Sequence, residues 1–454
     1  MNTFKINIYL TIFFISISLL VNFVVSVYFG NYRFVHYINW STLTLILIFL
    51  IVTSSVKYSA NKVILYFWFI FYLCGILFLN SVSVIDSKLN IDNEDADNFY
   101  ILCLISLSIG FKVSELIFIN RKYIVSLNSY ITLNPICNII LFLFPFAFFV
   151  STLLSLGFVP ILLGKSIISD MYNYNYGPLY GYKFLIIISI LGLIFYSLNR
   201  KYKYKYVILI IIFAFISLID GKRAVLLAAS ISGIYMYYIC TVKHSNKINW
   251  KAIISLSALM IIMYTGLSSL RSGENNSVDI TTIIEKFPIG VEYTDYVYSF
   301  KTYDPGSIKN YDFLKSAFGA FMNSTILEAF GYDKQEMIMS GSAYTWMKLY
   351  GIDMGIRTGI ISELYFQYGY GTFIIIFFMA FYFDYINRKI FQVTDLMTFL
   401  LILSLFGFNV LLIVGQATVY TGTLTLILYF YVFNKAFAVL YKGPNRVVLQ
   451  KYQL

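Results

Sequence analysis

Charged residues are scarce in this 454-residue sequence, at 12%. A soluble domain carries roughly 25% charged residues, so this chain could not cover a water-facing surface. Its four cysteines lie inside apolar runs and form neither a disulfide framework nor a CxxC metal pattern, which leaves packing as their simplest role. The two histidines cannot complete a Ser–His–Asp or Cys–His arrangement. We therefore expect a membrane protein without a separate globular domain, and we predict no cofactor and no metal site.

Hydrophobic residues are abundant, at 59%, and aromatic residues reach 19%. Apolar runs of about 17 to 25 residues, the length that a helix needs to cross a bilayer, recur along nearly the whole chain. The predicted fold class is an all-α integral membrane protein with about twelve transmembrane helices and one large extracytoplasmic loop. The predicted spans are residues 8–29, 40–56, 62–84, 99–119, 131–157, 183–198, 206–220, 224–240, 251–269, 358–383, 396–414 and 418–440.

The basic residues predict the orientation of these spans. The net charge of +11 is spread in small clusters between apolar runs, which indicates membrane topology rather than nucleic-acid binding. With the N-terminus inside, every inner segment is basic and almost all acidic residues fall outside, so both termini are predicted to be cytoplasmic. The predicted organisation is a transmembrane bundle (1–270), a large extracytoplasmic loop (271–357) and a second bundle (358–454) with a cytoplasmic tail. Amphipathic stretches near 279–300 and 311–330 are expected to lie along the membrane surface.

A short outer break carries the most informative charges. Lys222 and Arg223 follow Gly221 between two predicted spans, on the side where short loops usually avoid Lys and Arg. One interpretation is a turn whose cations reach for water. The other is an anion site near the mouth of the bundle, since guanidinium and ammonium groups suit a phosphate or pyrophosphate.

Three further residues stand at span ends on the predicted outer side. Arg271 directly follows the ninth span, and Arg357 directly precedes the tenth. Each is either an interfacial anchor or a contributor to a cationic pocket. Glu363 lies about one turn into the tenth span, where an ionisable group is costly and often functional. It is either an ion-pair partner or a general base. Gly369 and Gly371 beyond it are predicted to allow close helix packing.

A tyrosine-rich outer segment precedes the sixth predicted span. It contains Tyr172, Tyr174, Tyr176 and Tyr180. These rings are either an interfacial aromatic belt or a surface that stacks on sugars.

These features resemble the bacterial O-antigen or oligosaccharide repeat-unit polymerases of the Wzy type. The resemblance is carried by the Gly-Lys-Arg break at 221–223, by Arg271, and by the large loop that leads to Ser362-Glu-Leu-Tyr-Phe-Gln-Tyr-Gly369. That stretch is similar to the family's E-x-Y-x-N-F-G pattern, with Gln367-Tyr368 replacing Asn-Phe. The likeness covers essentially the whole chain and implies a membrane architecture like that of the glycosyltransferase-C enzymes.

The resemblance implies a metal-independent glycosyl transfer at the outer face of the bacterial inner membrane. Donor and acceptor would be oligosaccharides on undecaprenyl pyrophosphate, and a chain-length regulator is a possible protein partner. Lys222, Arg223, Arg271 and Arg357 would bind the pyrophosphate, with Arg223 and Arg271 also catalytic. Glu363 would orient or deprotonate the acceptor hydroxyl, with Asp353 and Glu328 as alternatives. The sugars would contact Asp353 and the tyrosine-rich segment.

Two other functions stay open from the sequence. An O-antigen ligase shares the arginines but carries a histidine in the large outer loop, and this loop has none. A flippase of lipid-linked oligosaccharides also has about twelve spans, but with short loops and two similar halves, and no internal repeat is present here. The polymerase is therefore the favoured interpretation.

Overall fold

The part of the chain that the structure describes is helical, apart from two short strands. This computed structural model describes residues 59–79, 94–118, 130–133, 135–159, 177–199, 203–219, 224–242, 312–322, 324–339, 359–393, 395–414, 417–440 and 445–448. The predicted spans 8–29, 40–56 and 251–269 and the stretch 279–300 lie outside these residues.

The helices and strands follow the predicted spans closely. In chain order they are α1 (Ser59–Leu79), α2 (Glu94–Ile117), β1 (Tyr130–Leu133), α3 (Pro135–Leu156), α4 (Leu185–Asn199), α5 (Lys203–Ser217), α6 (Ala224–Tyr237), α7 (Phe313–Phe321), α8 (Ser324–Ala329), α9 (Lys334–Met339), α10 (Gly359–Tyr368), α11 (Thr372–Lys389), α12 (Leu396–Leu411), α13 (Ala417–Leu440) and β2 (Asn445–Val448). A 3₁₀ turn at Gly369–Gly371 joins α10 to α11. The nine predicted spans among the described residues therefore all coincide with helices.

The start of the fifth predicted span was wrong. Residues 130–133 form a strand, and the helix begins only at Pro135. Proline suits the first position of a helix, because its missing N–H would have no partner there. It also disfavours helical backbone at the residue before it, so the chain enters α3 from an extended segment.

Lengths and exposed surfaces of the helices fit a lipid environment. Three stretches are long and apolar enough to cross a membrane: Phe99–Ile117, Ile139–Leu156 and Gly359–Lys389. On α3 the exposed large apolar residues are Ile139, Leu143, Phe146, Val150 and Leu154. Their spacing of three and four places them on one face. A continuous apolar face of this kind suits contact with acyl chains better than contact with water. The count of twelve spans stays a prediction.

The chain divides into two compact units. The first comprises Met1–Lys122, Phe287–Phe313 and Arg357–Tyr385, and the second comprises Tyr123–Lys286, Leu314–Ile356 and Ile386–Leu454. In the first unit α2 packs closely on α11, because a Cβ on Gly110 would lie 2.5 Å from the carbonyl oxygen of Phe377. The two units are defined by which segments pack together, whereas the predicted organisation of two bundles and a loop follows the order of the chain. The predicted organisation is not tested by these units and stays a prediction.

A polar cluster lies inside the first unit. Asp384 on α11 is fully buried, and its two carboxyl oxygens accept from Asn61 Nδ2 at 2.8 Å and from Ser114 Oγ at 2.6 Å. Asn61 Nδ2 also lies 3.5 Å from Glu115 Oε1. The cluster ties α1, α2 and α11 together at the end of α11 that is farther from Glu363.

The two strands connect distant parts of the second unit. They pair antiparallel, with Tyr130 opposite Val448 and Leu133 opposite Asn445. The pairing puts the segment after α13 on the same side of the membrane as the start of α3, which requires an even number of crossings between them. The predicted topology has eight crossings there and meets this condition. Which side is cytoplasmic stays a prediction.

Candidate functional site

The structure describes only some of the residues predicted to form the site. Glu363 on α10, Tyr180 and the alternative base Glu328 on α8 are among the described residues. Glu328 is exposed, whereas Glu363 is buried. The other predicted residues lie outside the described ranges: Lys222, Arg223, Arg271, Asp353, Arg357, Tyr172, Tyr174 and Tyr176.

Glu363 lies in a short helix that is buried over most of its length. Its side chain is only 2% exposed, and every residue of α10 from Gly359 to Phe366 is buried. Gly359, the first residue of α10, has a φ of 71°, and Gly369, in the 3₁₀ turn that follows, has a φ of 53°. Glycine adopts such left-handed backbone without the steric cost that a Cβ brings. The two glycines therefore allow the backbone to leave the helical conformation just before and just after this helix.

The close helix packing predicted for Gly369 and Gly371 stays a prediction. Among the described residues, a Cβ on Gly371 would come closest to Tyr368 Cβ, at 3.6 Å, which is ordinary contact. Gly369 has the left-handed backbone that favours glycine. The pair marks a break between α10 and α11, and short 3₁₀ stretches inside helices are often associated with function or strain.

The break separates Glu363 from the long apolar helix α11. The 18 residues of α11 span about 27 Å by themselves, close to the roughly 30 Å of a hydrocarbon core. The exposed residues Ile374 and Phe378 on α11 are flanked by exposed Tyr370 and Tyr385, an arrangement typical of interfacial tyrosines bounding a lipid-facing surface. Glu363 comes seven residues before Tyr370, on the far side of the 3₁₀ turn, and its side chain is shielded by protein.

An aromatic cluster packs beside α10. The ring of Phe99 on α2 lies 4.7 Å from the Tyr365 ring, 4.9 Å from the Phe373 ring and 5.9 Å from the Tyr370 ring, between centroids. Ser106 Oγ on the same helix donates to the Phe373 carbonyl at 2.6 Å. α2 therefore holds α10 and the start of α11 in place through both rings and a hydrogen bond.

Ser362 is a residue that the sequence analysis did not single out. Its side chain is fully buried next to Glu363, and among the described residues its hydroxyl has no hydrogen-bond partner. A buried hydroxyl without a partner costs about 1–3 kcal/mol, so it calls for an explanation. In the sequence, the feature that could have drawn attention to Ser362 is its position directly before Glu363.

The departure from the family pattern at Gln367-Tyr368 has a structural role. Gln367 Oε1 accepts from the backbone N–H of Phe313 at 3.1 Å, and the Phe313 and Tyr368 rings lie edge to face at 6.2 Å. Phe313 belongs to the middle of the large predicted loop. The two substituted positions thus attach this loop residue to the end of α10.

Close packing positions the helix that follows the Gly-Lys-Arg break. Ser232 Oγ on α6 donates to the Leu403 carbonyl at 2.7 Å, and a Cβ on Gly407 would lie 2.5 Å from the Ala228 carbonyl oxygen. Extending this register by one turn puts Ala224 opposite Leu411, at the end of α12. Ala224 directly follows Arg223 in the chain, and the first N–H groups of α6 carry partial positive charge.

Tyr180 takes part in packing. It lies in a 3₁₀ turn and stacks on Phe148 of α3 at 6.5 Å between centroids. Gly177 nearby has a φ of 89°, and a Cβ there would lie 2.5 Å from Ser155 Oγ. One ring face of Tyr180 is therefore occupied by protein. The choice between an aromatic belt and a sugar-binding surface stays open.

Long apolar helices with exposed apolar sides are the features of an integral membrane protein, and Glu363 is a buried carboxyl group beyond a break in one of these helices. The model of the family "O-antigen polysaccharide polymerase Wzy" matches residues 10–437, and the chain belongs to that family. No curated protein and no solved structure matches the chain. The predicted family is confirmed, and with it a general role as a membrane-bound O-antigen polysaccharide polymerase.

Proposed function

We propose that the chain joins undecaprenyl-pyrophosphate-linked oligosaccharide repeat units into O-antigen or capsular polysaccharide. The family match over residues 10–437 is the observation that carries this proposal. The reaction is a glycosyl transfer at the outer face of the bacterial cytoplasmic membrane, with both termini of the chain in the cytoplasm. The burial of Glu363 beside the break between α10 and α11 supports it, because a carboxyl group held in place by protein is suited to orient an acceptor hydroxyl.

The proposed reaction exchanges one bond at the anomeric carbon. A hydroxyl oxygen of the acceptor repeat unit attacks the anomeric carbon of the growing glycan. The bond from that carbon to the pyrophosphate oxygen breaks, and the lipid pyrophosphate leaves with the electron pair. The hydroxyl proton passes to the carboxylate of Glu363, and no oxidant or further reactant is needed.

Cationic groups stabilise the leaving group in this proposal. A pyrophosphate is already a good leaving group, so catalysis consists mainly of stabilising its growing negative charge. Lys222 and Arg223 come directly before α6, whose N-terminal N–H groups favour an anion. Arg271 and Arg357 complete the cationic set, and no metal is required.

The acceptor side of the proposed site is α10. Glu363 orients or deprotonates the acceptor hydroxyl, and burial among protein groups lets a single carboxylate act without competition from bulk water. The Ser362 hydroxyl has no partner among the described residues. In this proposal it forms a hydrogen bond with a sugar hydroxyl, either the acceptor hydroxyl on which Glu363 acts or another one. The tyrosine-rich segment and Asp353 bind the sugars.

Reconstitution tests the proposal. Purified full-length chain in detergent micelles is mixed with a defined undecaprenyl-pyrophosphate-linked repeat unit, and the products are separated by length. We expect a ladder of products that retain the lipid. Micelles have no two faces, so a flippase would give no ladder. Transfer only to an added lipid A core would identify a ligase.

Two carboxyl variants make the test specific to the site. Glu363→Gln removes the base and keeps the shape of the side chain, and we expect it to lower turnover about 100-fold or more at all pH values. Glu328→Gln makes the same chemical change at an exposed position and should leave the ladder unchanged. Equal turnover of the two variants would reduce Glu363 to a structural residue.

A further inference from the structure

From Leu314 onward, helices α7, α8 and α9 pack together within the second unit. On α7 and α9, Lys315 Nζ lies 3.0 Å from Glu336 Oε1, and Ser316 Oγ donates to the Ile338 carbonyl at 3.4 Å. A Cβ on Gly319 would lie 2.6 Å from Met337 Cβ, so the two helices lie side by side in close contact. We call residues 314–339 the loop helices.

The connections of the loop helices are also well defined. α8 ends at a left-handed Gly331 with a φ of 78°, whose N–H donates to the Glu328 carbonyl at 2.9 Å. This is a usual way for a helix to end. Lys334 Nζ donates to the Met322 carbonyl at 2.8 Å and caps the end of α7. The segment is therefore a folded element rather than an extended loop.

The loop helices are attached to α13. Thr425 Oγ1 donates to the Phe321 carbonyl at 2.8 Å, and a Cβ on Gly422 would lie 3.8 Å from the Ala320 carbonyl oxygen. α13 has 24 residues and is about 36 Å long, so it exceeds the roughly 30 Å hydrocarbon core by only a few ångström at each end. Thr425 lies eight residues after Ala417, about 12 Å along the axis.

The opposite end of α13 gives a second measure of how far Thr425 lies from a membrane boundary. Asn434 Nδ2 donates to Asp395 Oδ2 at 2.8 Å, and Lys435 follows it on the exposed side. Such polar groups belong near a membrane boundary. Thr425 lies nine residues from Asn434, only about 14 Å away, and so falls within the hydrocarbon thickness. By both measures the loop helices contact α13 below the headgroup level.

The outward surface of the loop helices is apolar. Phe330 is 74% exposed and Phe318 is 52% exposed, and Leu314, Ile326 and Tyr332 are exposed as well. Leu314 and Phe318 are one turn apart on the same face of α7. A soluble surface rarely groups so many large apolar side chains within 19 residues.

The lipid-facing side of α13 adds to this apolar surface. Leu428 and Val432 are one turn apart on α13 and both are exposed. They follow Thr425, where α7 is attached, toward the middle of the helix. The apolar residues of the loop helices and the exposed side of a predicted membrane span therefore occur in the same unit and next to the same contact.

We infer that the loop helices are seated in the membrane leaflet on the side of the large loop, with Leu314, Phe318 and Phe330 in contact with acyl chains. The occupant of this surface is the bilayer itself, in the manner of an interfacial helix. The predicted orientation makes this the outer leaflet. If the proposed function holds, the lipid-linked substrates reside in the same leaflet as the loop helices.

Labelling of single cysteines tests the seating. The full-length chain, with its native cysteines replaced by alanine, carries Phe318→Cys, Phe330→Cys or Glu336→Cys and is placed in lipid nanodiscs. We expect a water-soluble maleimide to label positions 318 and 330 about tenfold or more slowly than position 336, because a thiol in hydrocarbon is shielded from it. A bimane label at 318 or 330 should be quenched by brominated acyl chains as strongly as one at Leu428→Cys on α13.

Three results would overturn the inference. Equal maleimide rates at all positions would place the loop helices in water. Slow labelling without quenching by brominated lipid would mean that a protein, such as a second copy of this chain, covers the surface. Quenching at Leu428→Cys alone would confine the lipid contact to α13. The measurement needs no enzymatic activity, so its failure is distinct from a failure of the proposed function.

Discussion

Removal of the buried carboxyl group of Asp384 should destabilise the first unit. In Asp384→Leu, an apolar side chain of similar size replaces the group that accepts from Asn61 Nδ2 at 2.8 Å and from Ser114 Oγ at 2.6 Å. All three residues are fully buried, so water cannot replace the lost acceptor. Helices α1 and α2 would lose their shared attachment to α11.

The magnitude follows from the two donors. A buried donor deprived of its acceptor costs about 1–3 kcal/mol, which gives an upper range of about 2–6 kcal/mol for Asn61 and Ser114 together. The loss at Asn61 is partial, because its Nδ2 keeps Glu115 Oε1 at 3.5 Å. Hydrogen bonds between membrane helices contribute about 0.6 kcal/mol on average and rarely more than about 1.7 kcal/mol, because the unfolded chain in a membrane also finds partners. We therefore expect a loss of about 2–4 kcal/mol in the free energy of unfolding.

Unfolding by a denaturing detergent, followed by circular dichroism, measures this loss. Asp333→Asn alters an exposed carboxyl group and should change stability by less than about 0.5 kcal/mol. Replacing all three partners, in Asn61→Leu/Ser114→Ala/Asp384→Leu, should recover much of the loss, because the two donors that lose the Asp384 carboxyl group are then removed as well. Wild-type stability of Asp384→Leu alone, or no recovery in the triple variant, would refute this reasoning.

Three further variants test the site and the packing around it. Arg223→Ala should abolish chain elongation while the protein still inserts into the membrane, and normal long-chain glycan on the cell surface would contradict the pyrophosphate role. Ser362→Ala should lower polymer formation about tenfold by removing one hydrogen bond to substrate, whereas Ser108→Ala, which removes another buried hydroxyl without a partner among the described residues, should preserve it. Gly407→Ala forces a Cβ to within 2.5 Å of a carbonyl oxygen and should destabilise the protein by about 1–3 kcal/mol. Gly422→Ala, with 3.8 Å available, should be neutral or slightly stabilising, and equal melting of the two glycine variants would refute the close approach of α6 and α12.

The positions of the helices were largely predictable from the sequence. An apolar run of about 20 residues has few alternatives to a helix in a membrane, since every backbone polar group must find its partner within the segment. The amphipathic spacing around 311–330 likewise anticipated α7 and α8. The start of α3 was missed because apolar content does not distinguish a strand from the first turn of a helix, although Pro135 marks the boundary.

The surroundings of Glu363 were not predictable in the same way. A hydropathy pattern assigns residues 358–383 to one span, but a left-handed Gly369 breaks it and separates the helix of Glu363 from α11. Ser362 was overlooked because a serine in a helix usually donates to its own backbone, and only the folded structure shows that this one is buried without a described partner. The cations at 222, 223, 271 and 357 remain predictions from charge and position alone.

The sequence by itself therefore determined that this is a helical membrane protein, which segments form helices, and which polymerase family it belongs to. These properties depend on local composition, on spacing and on short motifs. Only the tertiary structure decided that Asp384 meets Asn61 across 323 positions of sequence, that Glu363 is buried at the end of a broken helix, and that the loop helices attach to α13. These contacts depend on how separate helices approach one another, and no local pattern of residues encodes that approach.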